Sequence, residues 1–183
     1  MRMLIRRAQK YDKDAFTELM LALGPDMYKI ARTILRNDED AADAMQETAL
    51  ICWEKIGTLQ KEEYFKTWMT RILINCCNEI LRTRRRTILN ESLPEPSREE
   101  PSYTGVEWKQ VLGCLEEPYR VLIVLYYMEG FKTREIARIL DLNENTVRGR
   151  LKKAREKVRL LLEEDGSRER IVPFHYQKKE GRI

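Results

Sequence analysis

Thr133–Arg159 reads TREIARILDLNENTVRGRLKKAREKVR, a pattern that predicts two short helices joined by a tight turn. Thr133 is placed to cap the first helix, with Glu135 favourable in its first turn. Ile136, Ala137 and Leu140 recur at helical spacing as its inner face. Asp141 and Leu142 interrupt the pattern, and Asn143 is a good N-cap for the helix that follows. Leu142 before that cap and Val147 after it are spaced to form a hydrophobic staple, which fixes the entry angle of the second helix.

On a helical wheel of about 100° per residue, Val147, Leu151, Ala154 and Val158 fall in one narrow apolar seam. Gly149 and Lys153 point nearly opposite to it, while Arg148, Lys152, Arg155 and Arg159 gather on one flank. A helix held along one seam and cationic elsewhere suits a DNA groove. Phosphates attract the cations, and Arg or Lys can also donate to guanine edges. A solvated amphipathic helix would carry similar charges. The cap, the staple, the short turn and the basic outer face together favour a helix-turn-helix that binds DNA.

The rest of the chain sets bounds on that reading. Its 183 residues suit one domain or two small ones, and 43% apolar content is enough for a packed core. Charged residues make up 35%, yet the net charge is only +4, so the basic character is local rather than global. No apolar run approaches the roughly 20 residues that span a bilayer. Arg2, Arg6 and Arg7 have no apolar signal core behind them, so no secretion signal is expected and the expected location is cytoplasmic. Cys52, Cys76, Cys77 and Cys114 show no CxxC spacing, and the only histidine is His175. That is a poor metal set and a poor disulfide framework. Cys76 reads as a small core residue. No cofactor or metal is expected, and without a well-placed histidine neither is Cys-His or Ser-His-Asp catalysis.

Taken in order, Phe16, Leu19, Met20 and Leu23 mark a first helix that Gly24-Pro25 should end. Met27, Ile30, Ala31 and Ile34 predict a second, running to about Asn37. Asp38–Ile56 is a third helix with an inner seam of Ala41, Met45, Thr48 and Cys52, closed by Gly57. Asp40, Asp43, Glu47 and Glu54 lie together on roughly the opposite side, and no Lys or Arg occurs from Asn37 to Glu54. An acidic stripe repels DNA, so a basic protein surface is the better partner for it; a solvated face helped by the helix dipole is the plainer alternative.

A fourth helix is expected over Phe65–Arg82, with Phe65, Met69, Ile72 and Cys76 inward. Arg71, Asn75, Asn78 and Arg82 form a polar stripe beside Trp68, followed by Arg84, Arg85 and Arg86. Cations, amides and an aromatic on one face suit opened or single-stranded nucleic acid, although a tryptophan is more often core. Asn90–Gly105, with Pro94, Pro96 and Pro101, reads as a linker and domain boundary. Helices are then predicted from Val106 to Glu116 and from Tyr119 to Glu129, the second opened by Pro118 and closed by Gly130. The helix-turn-helix completes a four-helix unit, and the stretch from Asp165 to Ile183 has no clear periodicity. No strand alternation is evident, so the expected fold is all-α: two small helical domains (1–87 and 106–164) around a linker (88–105), with 165–183 as a tail of unknown role.

These segments resemble the extracytoplasmic-function (ECF) group of bacterial RNA polymerase sigma factors over roughly Leu4–Leu162. The resemblance is carried by NDEDAADAMQETALICWEKI (37–56), FKTWMTRILINCCNEILRTRRR (65–86) and EEPYRVLIVLYYMEGFKTREIARILDLNENTVRGRLKKARE (116–156). It implies a non-catalytic subunit that binds core RNA polymerase and directs it to promoter DNA. By that resemblance Asp40, Asp43, Gln46, Glu47 and Trp53 would meet the polymerase. Trp68, Arg71, Asn75, Asn78 and Arg82 would read the minus-ten element. Thr133, Asn145, Thr146, Arg148, Gly149, Lys152 and Lys153 would serve the minus-thirty-five element. An anti-sigma factor, often membrane-anchored, is a further partner implied by analogy; no small-molecule substrate or direct membrane insertion is implied. Two positions depart from the family pattern: late in the fourth helix, where Asn78-Glu79 stand, members often have an acidic residue, and the turn often has glycine where Asp141 sits. The residues alone also admit a stand-alone helix-turn-helix regulator with a helical dimerisation half. That reading leaves the pairing of acidic and Arg/Asn stripes unexplained.

Overall fold

The computed structural model describes residues 1–90 and 112–164, and among them every regular element is helical. Seven α-helices follow one another: α1 Arg2–Ala8, α2 Lys13–Leu35, α3 Asp38–Lys55, α4 Phe65–Asn90, α5 Glu117–Ile123, α6 Thr133–Leu140 and α7 Glu144–Glu164. Short 3-10 turns at Ile56–Thr58 and Glu62–Tyr64 link α3 to α4, and a π-helical turn, Val124–Met128, extends α5.

The two N-terminal helices expected on either side of Gly24-Pro25 are one continuous helix. Proline in a helix interior removes a hydrogen bond at a cost of ~3 kcal/mol. Here Leu19, Leu23, Met27, Ile30, Ala31 and Ile34 keep a single buried stripe across the proline, all at 5% exposure or less. Burying that stripe, at about 1.5–3 kcal/mol per large side chain, outweighs the lost bond. Asp12 caps the start by accepting from the Ala15 amide at 3.1 Å, and Arg36 in the left-handed region ends the helix at φ 54°. Asn37 then caps α3, accepting from the Asp40 amide at 2.9 Å.

α3 packs between α2 and α4 on a seam of Ala41, Ala44, Thr48 and Cys52. Met45, expected in that seam, is half-buried, and Ala44 takes the inner place. The small residues let the helices approach closely, and the buried Thr48 hydroxyl is satisfied by donating to the Ala44 carbonyl at 2.6 Å. α4 is longer than expected and carries Arg84–Arg86 on the helix itself. Its buried side includes Phe65, Met69, Leu73, Ile74, Cys76 and Cys77, whereas Ile72 is half-buried. Burial pushes the Cys52 and Cys77 thiols up to about 12 and Cys76 upward as well, the behaviour of core cysteines rather than nucleophiles.

In the C-terminal half, Leu112–Cys114 is the described end of the helix expected from Val106; residues 88–90, expected in the linker, are the end of α4, and the rest of the linker and the tail lie outside the described residues. The chain breaks at Leu115, and α5 begins with Pro118 in its first turn, where its missing N–H costs nothing. Gly130, at φ 71°, closes the π turn as Phe131 N–H bonds the Leu125 carbonyl at 3.0 Å. The buried apolar residues of both halves form one continuous cluster. The expected two units are therefore packed against each other, with α6 on α4 and α5 on α2.

Candidate nucleic-acid interface

The helix-turn-helix forms over the expected residues, with changes at its cap and along its inner face, where Ile139 is buried at 2% and Leu140, expected inward, is half-buried. The cap of α6 is Lys132, whose backbone N–H donates to Glu135 Oε2 at 2.7 Å. Thr133 is instead the first helical residue, and its hydroxyl donates to Glu144 Oε1 at 2.8 Å, tying the start of α6 to the start of α7. Asp141 ends α6 in the left-handed region at φ 54° and ψ 48°, which a short polar side chain tolerates better than most. Asn143 caps α7 by accepting from the Asn145 amide at 2.8 Å. Val147, Leu151 and Ala154 are buried at 3% exposure or less, while Val158 is half-buried.

The opposite side of α7 is open. Asn145, Thr146, Arg148, Gly149, Lys152 and Lys153 are all exposed, as is Arg150. Arg148 is parked on Glu144, Nη2 to Oε1 at 2.7 Å, and the bonds from Thr133 and Arg148 hold the Glu144 carboxyl below its usual range. A Cβ added at Gly149 would meet nothing within 4 Å. The face therefore presents cations around a bare stretch of backbone, an arrangement that accepts phosphates and close approach to a groove edge.

On α4, Arg71, Asn75, Asn78 and Arg82 are exposed. Arg82 pairs with Glu79, and the two hold each other ionised, the carboxyl lowered and the guanidinium raised. Arg71 lies 3.8 Å from Asp141 in the turn between α6 and α7. Trp68 is half-buried, its ring centroid 5.9 Å from that of Phe65, so part of its face goes to packing. Asn75 turns out to share a groove of about 550 Å³ with Asp43 and Glu47 of α3. Ile51, Ile72, Cys76 and Ile80 form its apolar floor and Glu79 adds a third carboxylate. The acidic and Arg/Asn stripes thus adjoin along the α3–α4 edge.

The remaining acidic-helix candidates differ in availability. Asp43, Gln46 and Glu47 are exposed. Asp40 is paired with Arg84 at 2.7 Å, its side chain only 15% exposed, and burial pushes its carboxyl up against the pull of Arg84. Trp53 is half-buried in an aromatic cluster, with edge contacts to Phe16 at 5.0 Å and Tyr11 at 5.6 Å between centroids. Among the described residues no group of three or more His, Cys, Asp or Glu converges as a metal site, and no helix is long and apolar enough to cross a membrane.

Sequence reasoning missed a set of residues that join the halves. Lys66 Nζ reaches Asp26 Oδ2 at 2.9 Å and Glu129 Oε2 at 3.3 Å, and Arg120 Nε donates to the Thr33 carbonyl at 2.9 Å. The partners lie 40, 63 and 87 positions apart in sequence, so no periodicity within one segment could have paired them.

The same two regions are recognised by comparison with known proteins. Residues 19–87 match the family described as Sigma-70 region 2, and residues 106–158 match Sigma-70, region 4. The chain is 30% identical over 140 residues to the RNA polymerase sigma factor SigV of Bacillus subtilis, covering 75% of this chain and 84% of that protein. It is 28% identical over 154 residues to the ECF RNA polymerase sigma factor SigM of Mycobacterium tuberculosis, covering 82% and 79%. Among solved structures it resembles CnrH in complex with the cytosolic domain of CnrY, with a TM-score of 0.68, 27% identity and coverage of 90% and 97%. The fold also matches the sigma factor RpoE of Bartonella quintana, solved with the anti-sigma factor NepR, at a TM-score of 0.70 and 23% identity over 82% and 98% of the two chains. The chain belongs to the extracytoplasmic-function group of RNA polymerase sigma factors, alternative sigma factors that direct transcription initiation.

Proposed function

We propose that this sigma factor works through two reading heads, 1–87 and 106–164, that share promoter recognition while α3 docks on core RNA polymerase. The carrying observation is the face of α7: Arg148, Lys152 and Lys153 exposed around Gly149, above a seam buried at 3% or less. That face reads the minus-thirty-five element, with Thr133, Asn145 and Thr146 at its edge. The exposed run Arg71, Asn75, Asn78 and Arg82 reads the minus-ten element, with the accessible edge of Trp68 stacking on a base. Asp43, Gln46 and Glu47 supply the polymerase contact. Asp40 acts chiefly through Arg84, tying α3 to α4, and Trp53 braces α3 from behind.

In this reading the protein performs no catalysis of its own and acts in the cytoplasm. It is held in check by a partner of the anti-sigma class, as expected from the family, through which it can be retained at a membrane. The test is run-off transcription with purified core polymerase on the promoter upstream of the protein's own gene. Defined transcripts should require both components. A chain that instead binds an operator tightly as a dimer, without polymerase, contradicts the reading.

A further inference from the structure

The groove between α3 and α4 and the stretch 165–183 have complementary chemistry. The groove, of about 550 Å³, has the carboxylates Asp43, Glu47 and Glu79 on its rim. Ile51, Ile72 and Ile80 of its floor are only half-buried, so apolar surface stays open to water, and covering it is favourable. The two helices run antiparallel, since Asp40 near the start of α3 pairs with Arg84 late in α4 at 2.7 Å. Asp43, Glu47 and Glu79 therefore gather toward the end where α3 begins, and Lys55 lies at the far end.

Residues 165–183 read DGSRERIVPFHYQKKEGRI. Ile171, Val172, Phe174 and Tyr176 form an apolar centre, with Arg168 and Arg170 ahead of it and Lys178 and Lys179 behind. Five Lys or Arg stand against three Asp or Glu. An apolar segment led by cations matches an apolar floor with carboxylates at one end. The lengths agree as well. Asp43 to Lys55 is about 18 Å of helix, and residues 171–176 span roughly 20 Å when extended.

The path from α7 to the groove is short. Lys157 pairs with Glu116, and the Gly113 carbonyl just before it in the chain accepts from Arg36 Nη2 at 3.0 Å. Arg36 directly precedes Asn37, the cap of α3. This part of α7 thus lies beside the end of α3 that carries the acids, and residues 165–170 add roughly 20 Å of reach. A segment tethered in this way meets the groove at an effective concentration of roughly millimolar. A weak contact therefore suffices, and a tighter partner can displace it.

We propose that residues 168–179 dock in the α3–α4 groove of the same chain. Arg168 and Arg170 lie toward the acidic end, and Phe174 and Tyr176 cover the isoleucine floor. The docked segment covers Asp43 and Glu47 in the free protein. Its consequence, that core polymerase and the segment compete for α3, rests on the two-head reading; the docking itself rests on the groove and the charge pattern.

The test places the photoreactive residue p-benzoylphenylalanine at position 174 of the full chain, in place of Phe174, and maps crosslinked peptides by mass spectrometry. Crosslinks should fall on segments 43–55 of α3 and 72–80 of α4. In a mixture of isotopically light and heavy chains they should join light to light and heavy to heavy. Arg168→Glu with Arg170→Glu should lower the yield several-fold, and adding Asp43→Lys and Glu47→Lys should recover most of it, with helix content by circular dichroism unchanged. No crosslinks, crosslinks to other segments, products joining light to heavy chains (a second copy in the groove), or a yield indifferent to the charge changes overturn the proposal. If a charge variant loses helix content, the position and isotope pattern of the crosslinks in the unreversed chain decide. Core polymerase should suppress the crosslinks. Crosslinks that persist in a polymerase complex active in run-off transcription would refute the polymerase contact at Asp43 and Glu47 and leave the docking intact.

Discussion

Gly149 stands in the middle of α7, on its exposed face, with nothing within 4 Å of an added Cβ. An exposed glycine inside a helix costs about 1 kcal/mol relative to alanine. Gly149→Ala should therefore raise unfolding stability by about 1 kcal/mol in urea titrations. If the bare backbone serves close approach to DNA, the same substitution should weaken binding to the minus-thirty-five element as part of the polymerase complex, measured by salt-matched competition. Stabilisation with unchanged DNA affinity would show that the glycine is incidental. The exposed residues of this face were legible in the sequence because a wheel fixes which side of a helix each one occupies. The engagement of Arg148 with Glu144 is an i,i+4 pair, and a wheel that separates seam from outer face does not choose among the several partners within reach of a long cationic side chain. At Asp141 the departure from glycine costs the turn nothing visible, as the residue adopts the left-handed conformation the turn requires.

At the scale of elements, the capping residues explain most of the helix boundaries, and the exceptions have a physical cause. Asn143 caps α7 as read, but Thr133 does not cap α6, because its hydroxyl bonds Glu144 of the next helix instead. Gly24-Pro25 is a strong local stop signal that lost to a buried stripe running through it. Asp12 caps α2 and accepts from Arg7 Nε at 2.7 Å; the Ala15 amide first, and then Arg7, hold its carboxyl below the ordinary 3.8. A depressed folded pKa means that the contribution is present above 3.8 and lost as pH falls through the lower folded value. Asp12→Ala should therefore melt at a lower temperature than the parent at neutral pH. The gap should narrow once pH drops below 3.8, as followed by circular dichroism at 222 nm (a general helix signal) in low-salt buffer. A gap constant with pH would assign the effect to packing rather than to the charged cap.

At the scale of the whole molecule, among the described residues, the exposed acids of α3 and the exposed lysines of α7 lie in different halves. The exposed carboxylates Asp43 and Glu47 line the α3–α4 groove, whereas Lys152 and Lys153 are exposed on α7 in the other half. Reversing both acids to Lys should weaken core polymerase binding about tenfold or more, equivalent to ~1.4 kcal/mol, in fluorescence anisotropy titrations. Binding of the same variant to upstream-element DNA should change little. An equal loss on both partners would place the polymerase contact elsewhere. Because Asn75 lines the same groove, the proposed polymerase contact and the proposed minus-ten stripe share an edge, which their separate stripes on two wheels did not reveal.

The sequence by itself determined most of the helices, though neither α1 nor the continuity of α2, together with the turn between α6 and α7, the basic face above its seam and the acidic face of α3. Those features depend on interactions within about a turn of one another, so periodicity and caps record them. Tertiary structure decided what depended on partners distant along the chain: the unbroken α2, the withdrawal of Asp40 and Trp53 into intramolecular contacts, and the packing of the two heads. Lys66 meets Glu129 across 63 positions and Arg120 meets Thr33 across 87. A charge pattern read along one helix carries no information about which buried carboxylate or carbonyl the fold brings to face it. Only the packed structure does, because the pairing follows from which helices the buried apolar cluster brings together.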